Sequence, residues 1–226
     1  VQDMDFGGDD VAIGIEVLDD GDLIVAAMAR NNHVGIDRFD FYGNREAHIT
    51  TSLGTGEDFY GMHRYDDGKI LLAGRSDNDF ALVRYNADLS LDTSFSDGGR
   101  LTFPVGNAEG IAYGLDVQTD GKILVAGRSH NGSNYDLALA RINDNGTLDT
   151  SFDNDGVLLT PAPAEQFAHD VVALDDGRIL TFGNSGNNFA LNRFLGDSDQ
   201  TALAANAVPV NSVPAAQTTL ENQPLA

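Results

Sequence analysis

Short aliphatic runs recur along most of the chain, each bounded by Gly, Asp or Asn. Four of them align: Leu23-Ile24-Val25-Ala26, Ile70-Leu71-Leu72-Ala73, Ile123-Leu124-Val125-Ala126 and Ile179-Leu180-Thr181-Phe182. Runs this short, often β-branched and interrupted by turn formers, predict strands, and no stretch carries a helical period. Each run follows an Asp-Gly pair, at Asp20-Gly21, Asp67-Gly68, Asp120-Gly121 and Asp176-Gly177. Asp-Gly between two apolar segments predicts a hairpin, because Gly supplies the positive φ and Asp bonds its own backbone. The segment before the turn, such as Ala112-Tyr113-Gly114-Leu115-Asp116-Val117, is then the partner strand.

The turn glycines lie 47, 53 and 56 residues apart, a spacing that signals a repeat architecture. Other landmarks keep step. Gly-Arg-Ser closes two runs, at Gly74-Arg75-Ser76 and Gly127-Arg128-Ser129, and Ala-Leu-x-Arg follows at 81–84, 138–141 and 190–193. A further apolar segment begins 20 residues before each turn glycine, at Val1, His48, Leu101 and Val157. This predicts four strands per unit, as at 101–105, 111–117, 122–128 and 137–142 in the third. The units are 1–47, 48–100, 101–156 and 157–200. Four strands per roughly 50 residues is the arithmetic of a propeller blade. The expected fold is all-β, a β-propeller of four four-stranded units, either a closed four-bladed ring or an open partial propeller. In a closed ring, residues 1–6 would complete the last sheet and leave no free edge.

The third unit combines Asp-Gly-Lys-Ile-Leu-Val-Ala-Gly from Asp120, Ala-Leu-Ala-Arg from Ala138 and Leu-Asp-Thr-Ser-Phe at 148–152. It resembles the bacterial delta-60 repeat; the second unit is nearly as close, and the first and fourth diverge. The resemblance covers nearly all of 1–200. It implies a propeller-like array in large bacterial surface or secreted proteins, and no general activity. Residues 201–226 are different: Pro- and Ala-rich, with Glu221 the only charge. This tail is either a linker or the start of a further domain, since 210–225 resembles the opening of bacterial cadherin-like and Ig-like repeats.

Composition narrows the function classes. Acidic residues number 35 against 13 basic, a net charge of −22, which repels phosphate backbones and argues against nucleic-acid binding. No apolar run approaches a membrane helix, and no signal peptide opens the chain, so membrane insertion is not expected. The first residue is Val rather than Met, the expectation for a fragment or processed product. There is no cysteine, hence neither disulfide nor thiolate metal site.

Candidate chemistry is sparse. The histidines, His33, His48, His63, His130 and His169, are scattered. His63 and His169 sit 5 and 8 residues before their turn glycines, on opposite faces of equivalent strands, and form no shared site. Asp153-Asn154-Asp155-Gly156 is the best oxygen-rich loop, with Asp153 and Asp155 as metal candidates and calcium as the cation. It lacks EF-hand spacing, and turn formation is the favoured reading. No other cofactor is expected. Leu-Asp-Thr-Ser-Phe, at 91–95 and 148–152, contains Ser and Asp but no base. It is expected to anchor Leu91, Leu148, Phe95 and Phe152 in the core, with Asp92 and Asp149 capping the turn. The recurrent Arg38, Arg84, Arg141 and Arg193 either ring an anionic ligand or, in so acidic a chain, pair with nearby carboxylates. Gly14, Gly61 and Gly114 recur seven residues before the turn glycine, on the strand expected to line a central channel, where Asp170 replaces them in the fourth unit.

The expected function is a non-catalytic structural or ligand-binding module of a bacterial secreted or cell-surface, adhesin-like protein. Its partners would be a protein or carbohydrate surface ligand and further domains of the same parent chain. The alternative is a polysaccharide-acting lyase or hydrolase using Glu16, His63, Asp116, His169 and Asp170 at the channel mouth. No residue is assigned a catalytic role.

Overall fold

The computed structural model describes residues 10–29, 33–54 and 56–194, and every regular element within them is a strand. The first sheet holds β1 (Asp10–Val17), β2 (Leu23–Ala29), β3 (His33–Phe39) and β4 (Arg45–Thr51) in sequence order. The second holds β5 (Asp58–Arg64), β6 (Ile70–Ser76), β7 (Asp79–Tyr85) and β8 (Arg100–Phe103). β9 (Gly110–Val117), β10 (Ile123–His130), β11 (Tyr135–Ile142) and β12 (Val157–Thr160) form the third. The fourth has three described strands, β13 (Gln166–Ala173), β14 (Ile179–Ser185) and β15 (Asn188–Phe194). All neighbours are antiparallel.

The Asp-Gly turns are the same structure four times. Gly21, Gly68, Gly121 and Gly177 have φ of 89°, 85°, 83° and 83°, left-handed values that a Cβ would strain. In each, the Asp Oδ1 accepts the N–H two residues on, from Asp22, Lys69, Lys122 and Arg178, at 3.0–3.1 Å. Both halves of the local expectation hold.

The units and the sheets are out of step by one strand. The segment opening the third unit, β8, pairs with β7 through Leu82 opposite Leu101, so it closes the second sheet. β12 likewise pairs with β11, and β4 with β3. Sheet boundaries therefore fall after Thr51, Phe103 and Thr160, not before His48, Leu101 and Val157. For β8 and β12 the cause is the Leu-Asp-Thr-Ser-Phe connection, and β4 follows β3 through the Asp40–Asn44 turn. Asp92 N–H bonds the Arg84 carbonyl and Arg84 N–H bonds the Gly99 carbonyl, which lays the following strand along β7. Asp149, Arg141 and Gly156 repeat this along β11.

That connection anchors as expected. Phe95 and Phe152 are fully buried, and the Asp92 and Asp149 Oδ1 atoms accept the N–H and hydroxyl of Ser94 and Ser151. The recurrent arginines pair with carboxylates. Arg84 and Arg141 each bond Asp92 or Asp149 at 2.8 Å, and their guanidinium carbons lie 4.6 and 4.9 Å from the Phe95 and Phe152 ring centres. Arg38 takes Asp20, Asp22 and Glu46. Arg193 is exposed, and its unit lacks the acidic connection.

Three apolar layers lie between successive sheets. Ile24, Ala26 and Ile36 meet Ile70, Leu72 and Val83; Leu71, Ala73 and Leu82 meet Ile123, Val125 and Ala140; Leu124, Ala126 and Leu139 meet Ala168, Val171 and Ile179. Both faces of the inner sheets are buried, which is why their second strands are continuously apolar. Among the described residues no comparable packing joins the fourth sheet to the first. Among the described residues no further strand covers the outer face of the fourth sheet. Phe182, Phe189 and Leu191 are 50%, 69% and 61% exposed, while their equivalents Ala126, Leu137 and Leu139 are buried. The expected closure by residues 1–6 and the tail at 201–226 lie outside the described residues.

Candidate functional site

The first strand of every sheet carries a β-bulge at an equivalent place. The register slips across Ile13, Tyr60, Tyr113 and His169, leaving one unpaired residue in each strand. A bulge re-aims the extra side chain and bends its strand. All four extra residues line one cleft of about 310 Å³, together with Gly14, Gly61, Gly114 and Asp170.

Glycine makes this convergence fit in two ways. Across the hairpin from the bulge sits the Gly of Gly-Arg-Ser or its equivalent. A Cβ at Gly74, Gly127 or Gly183 would lie 2.0, 1.9 or 1.9 Å from the carbonyl oxygen of Asp58, Ile111 or Phe167. Between sheets, a Cβ at Gly114 would lie 2.5 Å from Asp170 Cα, and one at Gly61 would lie 2.6 Å from Leu115 Cδ2. The recurrent glycines of the channel strand therefore stand where neighbouring sheets approach most closely, as their spacing predicts.

The bulged Tyr60, Tyr113 and His169, with Phe167 beside them, form a stripe across the last three sheets. Tyr60 and Tyr113 are edge-to-face at 5.0 Å; Tyr113 lies 6.3 Å from Phe167 and 5.8 Å from His169. Burial raises both tyrosine hydroxyl pKa values. His169 Nε2 pairs with Asn184 Oδ1 at 3.1 Å. Beside the stripe run the arginines of Gly-Arg-Ser. Arg75 is neutralised by Asp58 and Glu109, each at 2.6 Å. Burial works against its cation, and the Asp58 carboxylate leads the groups that hold it charged. Glu109 also accepts the Tyr135 hydroxyl at 2.8 Å, which raises the pKa of that phenol. The Arg128 guanidinium stacks 3.9 Å from the Tyr135 ring centre, with Tyr113 and Phe167 at 5.7 and 5.9 Å.

The five acid and base candidates do not form one catalytic group. Glu16, His63 and Asp116 occupy equivalent positions on β1, β5 and β9, opposite Ile24, Leu71 and Leu124. His63 Nδ1 is 3.8 Å from Asp116, and burial lowers its pKa against the pull of Asp116 and Glu16. Asp116 is committed to the fold: its oxygens accept the N–H of Val117 and, from the fourth sheet, of Ala173, both at 2.8 Å. Asp170 accepts the Val171 N–H at 2.9 Å. Glu16, His169 and Asp170 line the cleft, whereas His63 and Asp116 do not.

The loop of Asp153 and Asp155 is a turn. Asp153 and Asn154 have φ of 45° and 69°, and Asp155 Oδ1 accepts the Val157 N–H at 2.9 Å, leading into β12. Burial, then the Asp155 charge, raises the Asp153 pKa. Among the described residues no three His, Asp or Glu side chains are grouped to hold a metal ion.

The family described as "Domain of unknown function (DUF5122) beta-propeller" matches residues 66–95 and 118–152. Both segments run from an Asp-Gly turn through Leu-Asp-Thr-Ser-Phe, the inner hairpins of the second and third sheets. The fold is a β-propeller. No curated protein matches the chain. Among solved structures it is similar to a catalytically inactive virginiamycin B lyase from Staphylococcus aureus with quinupristin, at 14% identity and a TM-score of 0.49 over 84% of this chain. It is also similar to a protein of unknown function from Bacteroides caccae, at 12% identity and 0.46 over 81%. Drosophila Plexin A in complex with Semaphorin 1b is similar at 12% identity and 0.47, over 85% of this chain and 41% of that one. The chain spans 57% and 63% of the first two. At these values none of the three bears on what this propeller does.

Tyr60, Tyr113, Glu109 and Arg128 were not legible as site residues. The one trace was Gly-Arg-Ser, whose glycine marks the strand opposite a bulge. Nothing in a single sequence marks the bulge itself or the neighbours it meets.

Proposed function

We propose that this propeller is a non-catalytic, ligand-binding structural module of a bacterial secreted or cell-surface protein. The observation that carries the reading is the allocation of side chains on the inner strands. Asp116 is spent on backbone amides, His63 sits beside it, and the bulged positions carry Tyr60 and Tyr113. Hydrolysis or elimination needs an acid and a base facing one substrate atom. Aromatic surfaces in a cleft of this volume serve binding. The surface location rests on the resemblance to the delta-60 repeat. The test is incubation with neutral and acidic polysaccharides, assayed for new reducing ends and for unsaturated sugars absorbing in the ultraviolet. No product is expected. Turnover lost in a His169→Ala or Asp170→Asn variant would replace this reading with the enzymatic one.

A further inference from the structure

Arg128 is anomalous among the basic residues near the cleft. Arg75, at the equivalent position one sheet earlier, has two carboxylates, whereas no carboxylate pairs with Arg128 among the described residues. Its Nε is buried and has no hydrogen-bond acceptor. Its guanidinium is flanked by the rings of Tyr135, Tyr113 and Phe167. Aromatic faces attract a cation but accept none of its five directional N–H bonds. In a chain of net charge −22, a half-buried guanidinium left without an acid is set apart for something else.

We propose that the aromatic end of the cleft binds an acidic saccharide, with the apolar face of a pyranose ring against Tyr113 and Tyr60 and the sugar carboxylate on Arg128. This rests on the non-catalytic binding reading and names its ligand class. A carboxylate matches the guanidinium fork in two parallel charge-assisted hydrogen bonds and supplies the acceptor Nε lacks. The tyrosines present flat, half-exposed rings that bulges hold in place, suited to the C–H face of a sugar. Glu16 and Asp170 lie further along the same cleft, where they accept the hydroxyls of neighbouring sugars.

The experiment uses the full chain, with isothermal titration calorimetry against trigalacturonate, galactotriose and N-acetyl-triglutamate. Trigalacturonate is expected to bind with a Kd below about 1 mM, weakening as salt rises, and galactotriose at least about tenfold more weakly. Arg128→Gln should cost trigalacturonate about tenfold or more and leave galactotriose unchanged, while Arg128→Lys, keeping charge without the fork, retains part of the affinity. Tyr113→Leu should weaken both sugars, and melting temperatures near wild type exclude misfolding. The proposal is overturned by no sugar binding, by equal affinity for both sugars with Arg128→Gln silent, or by triglutamate binding as tightly as trigalacturonate, which would make the site one for acidic peptide. Cleavage of trigalacturonate would instead overturn the non-catalytic reading and leave the site in place.

Discussion

Gly114→Ala tests the geometry that brings the inner strands together. The added Cβ would lie 2.5 Å from Asp170 Cα, 2.7 Å from its Oδ1 and 3.0 Å from the His169 carbonyl oxygen. Two of these atoms are backbone, so relief requires β9 and β13 to move apart. Inserting a methylene into a packed site costs about 1–3 kcal/mol. Gly→Ala returns about 0.4–1 kcal/mol by restricting the unfolded chain. The net loss of about 1–2 kcal/mol corresponds to a melting temperature lower by roughly 2–8 °C for a chain of this length. Gly14→Ala is the control, because the position is equivalent and its neighbours are not. There the Cβ meets Met62 Sδ at 3.1 Å and Met62 Cβ at 3.2 Å; the thioether can turn away, and the Cβ contact needs a shift of only a few tenths of an ångström. Its net effect should lie within about 1 kcal/mol of zero. The assay is urea unfolding followed by circular dichroism, with slopes compared to verify that both variants lose the same surface. Equal midpoints for the two variants would refute the claim that backbone approach dictates glycine on the inner strands.

Further outcomes follow from the same contacts. Arg141→Ala breaks the buried pair with Asp149, which keeps Lys122 at 3.5 Å and the Ser151 amide and hydroxyl, and should cost about 3 kcal/mol, the low end for a broken buried pair, whereas Arg38→Ala, on a partly exposed cluster, should cost about 0–1 kcal/mol; chemical denaturation of both, with equal losses as the adverse result, decides it. Burial opposes ionisation of Asp92, but the Ser94 hydroxyl and amide, Lys69 and Arg84 outweigh it and hold its pKa down to about 2, against an ordinary 3.8. A depressed carboxyl stabilises the fold above its unfolded pKa and loses that contribution as pH falls through the folded value. The stability gap between wild type and Asp92→Asn should therefore be constant above pH 4 and narrow towards pH 2, and a pH-independent gap would contradict the assignment. With Asp155 engaged by the Val157 amide, millimolar calcium and chelator should give the same melting temperature; a rise abolished by Asp153→Asn would establish the cation site.

Local chemistry was legible in the chain, and long-range pairing was not. Asp-Gly dictates its own turn because the left-handed φ and the Asx hydrogen bond both lie within three residues, and the structure repeats that turn four times. Leu-Asp-Thr-Ser-Phe was legible as an anchored, capped connection for the same reason. A period, however, counts strands without saying which neighbour each will pair with. The assignment of β8 and β12 to the preceding sheets came from the Arg84–Gly99 and Arg141–Gly156 backbone bonds, and that of β4 from the Asp40–Asn44 turn that folds it back on β3. The candidate site lay further still from the sequence. Tyr60, Tyr113 and His169 belong to three different sheets, and they meet because bulges turn side chains inward and glycines let the strands close. The chain alone determined its strands, its turns and its repeat. The tertiary structure decided the phase of the sheets and the company of Arg128, because both depend on contacts between residues that sequence spacing leaves unrelated.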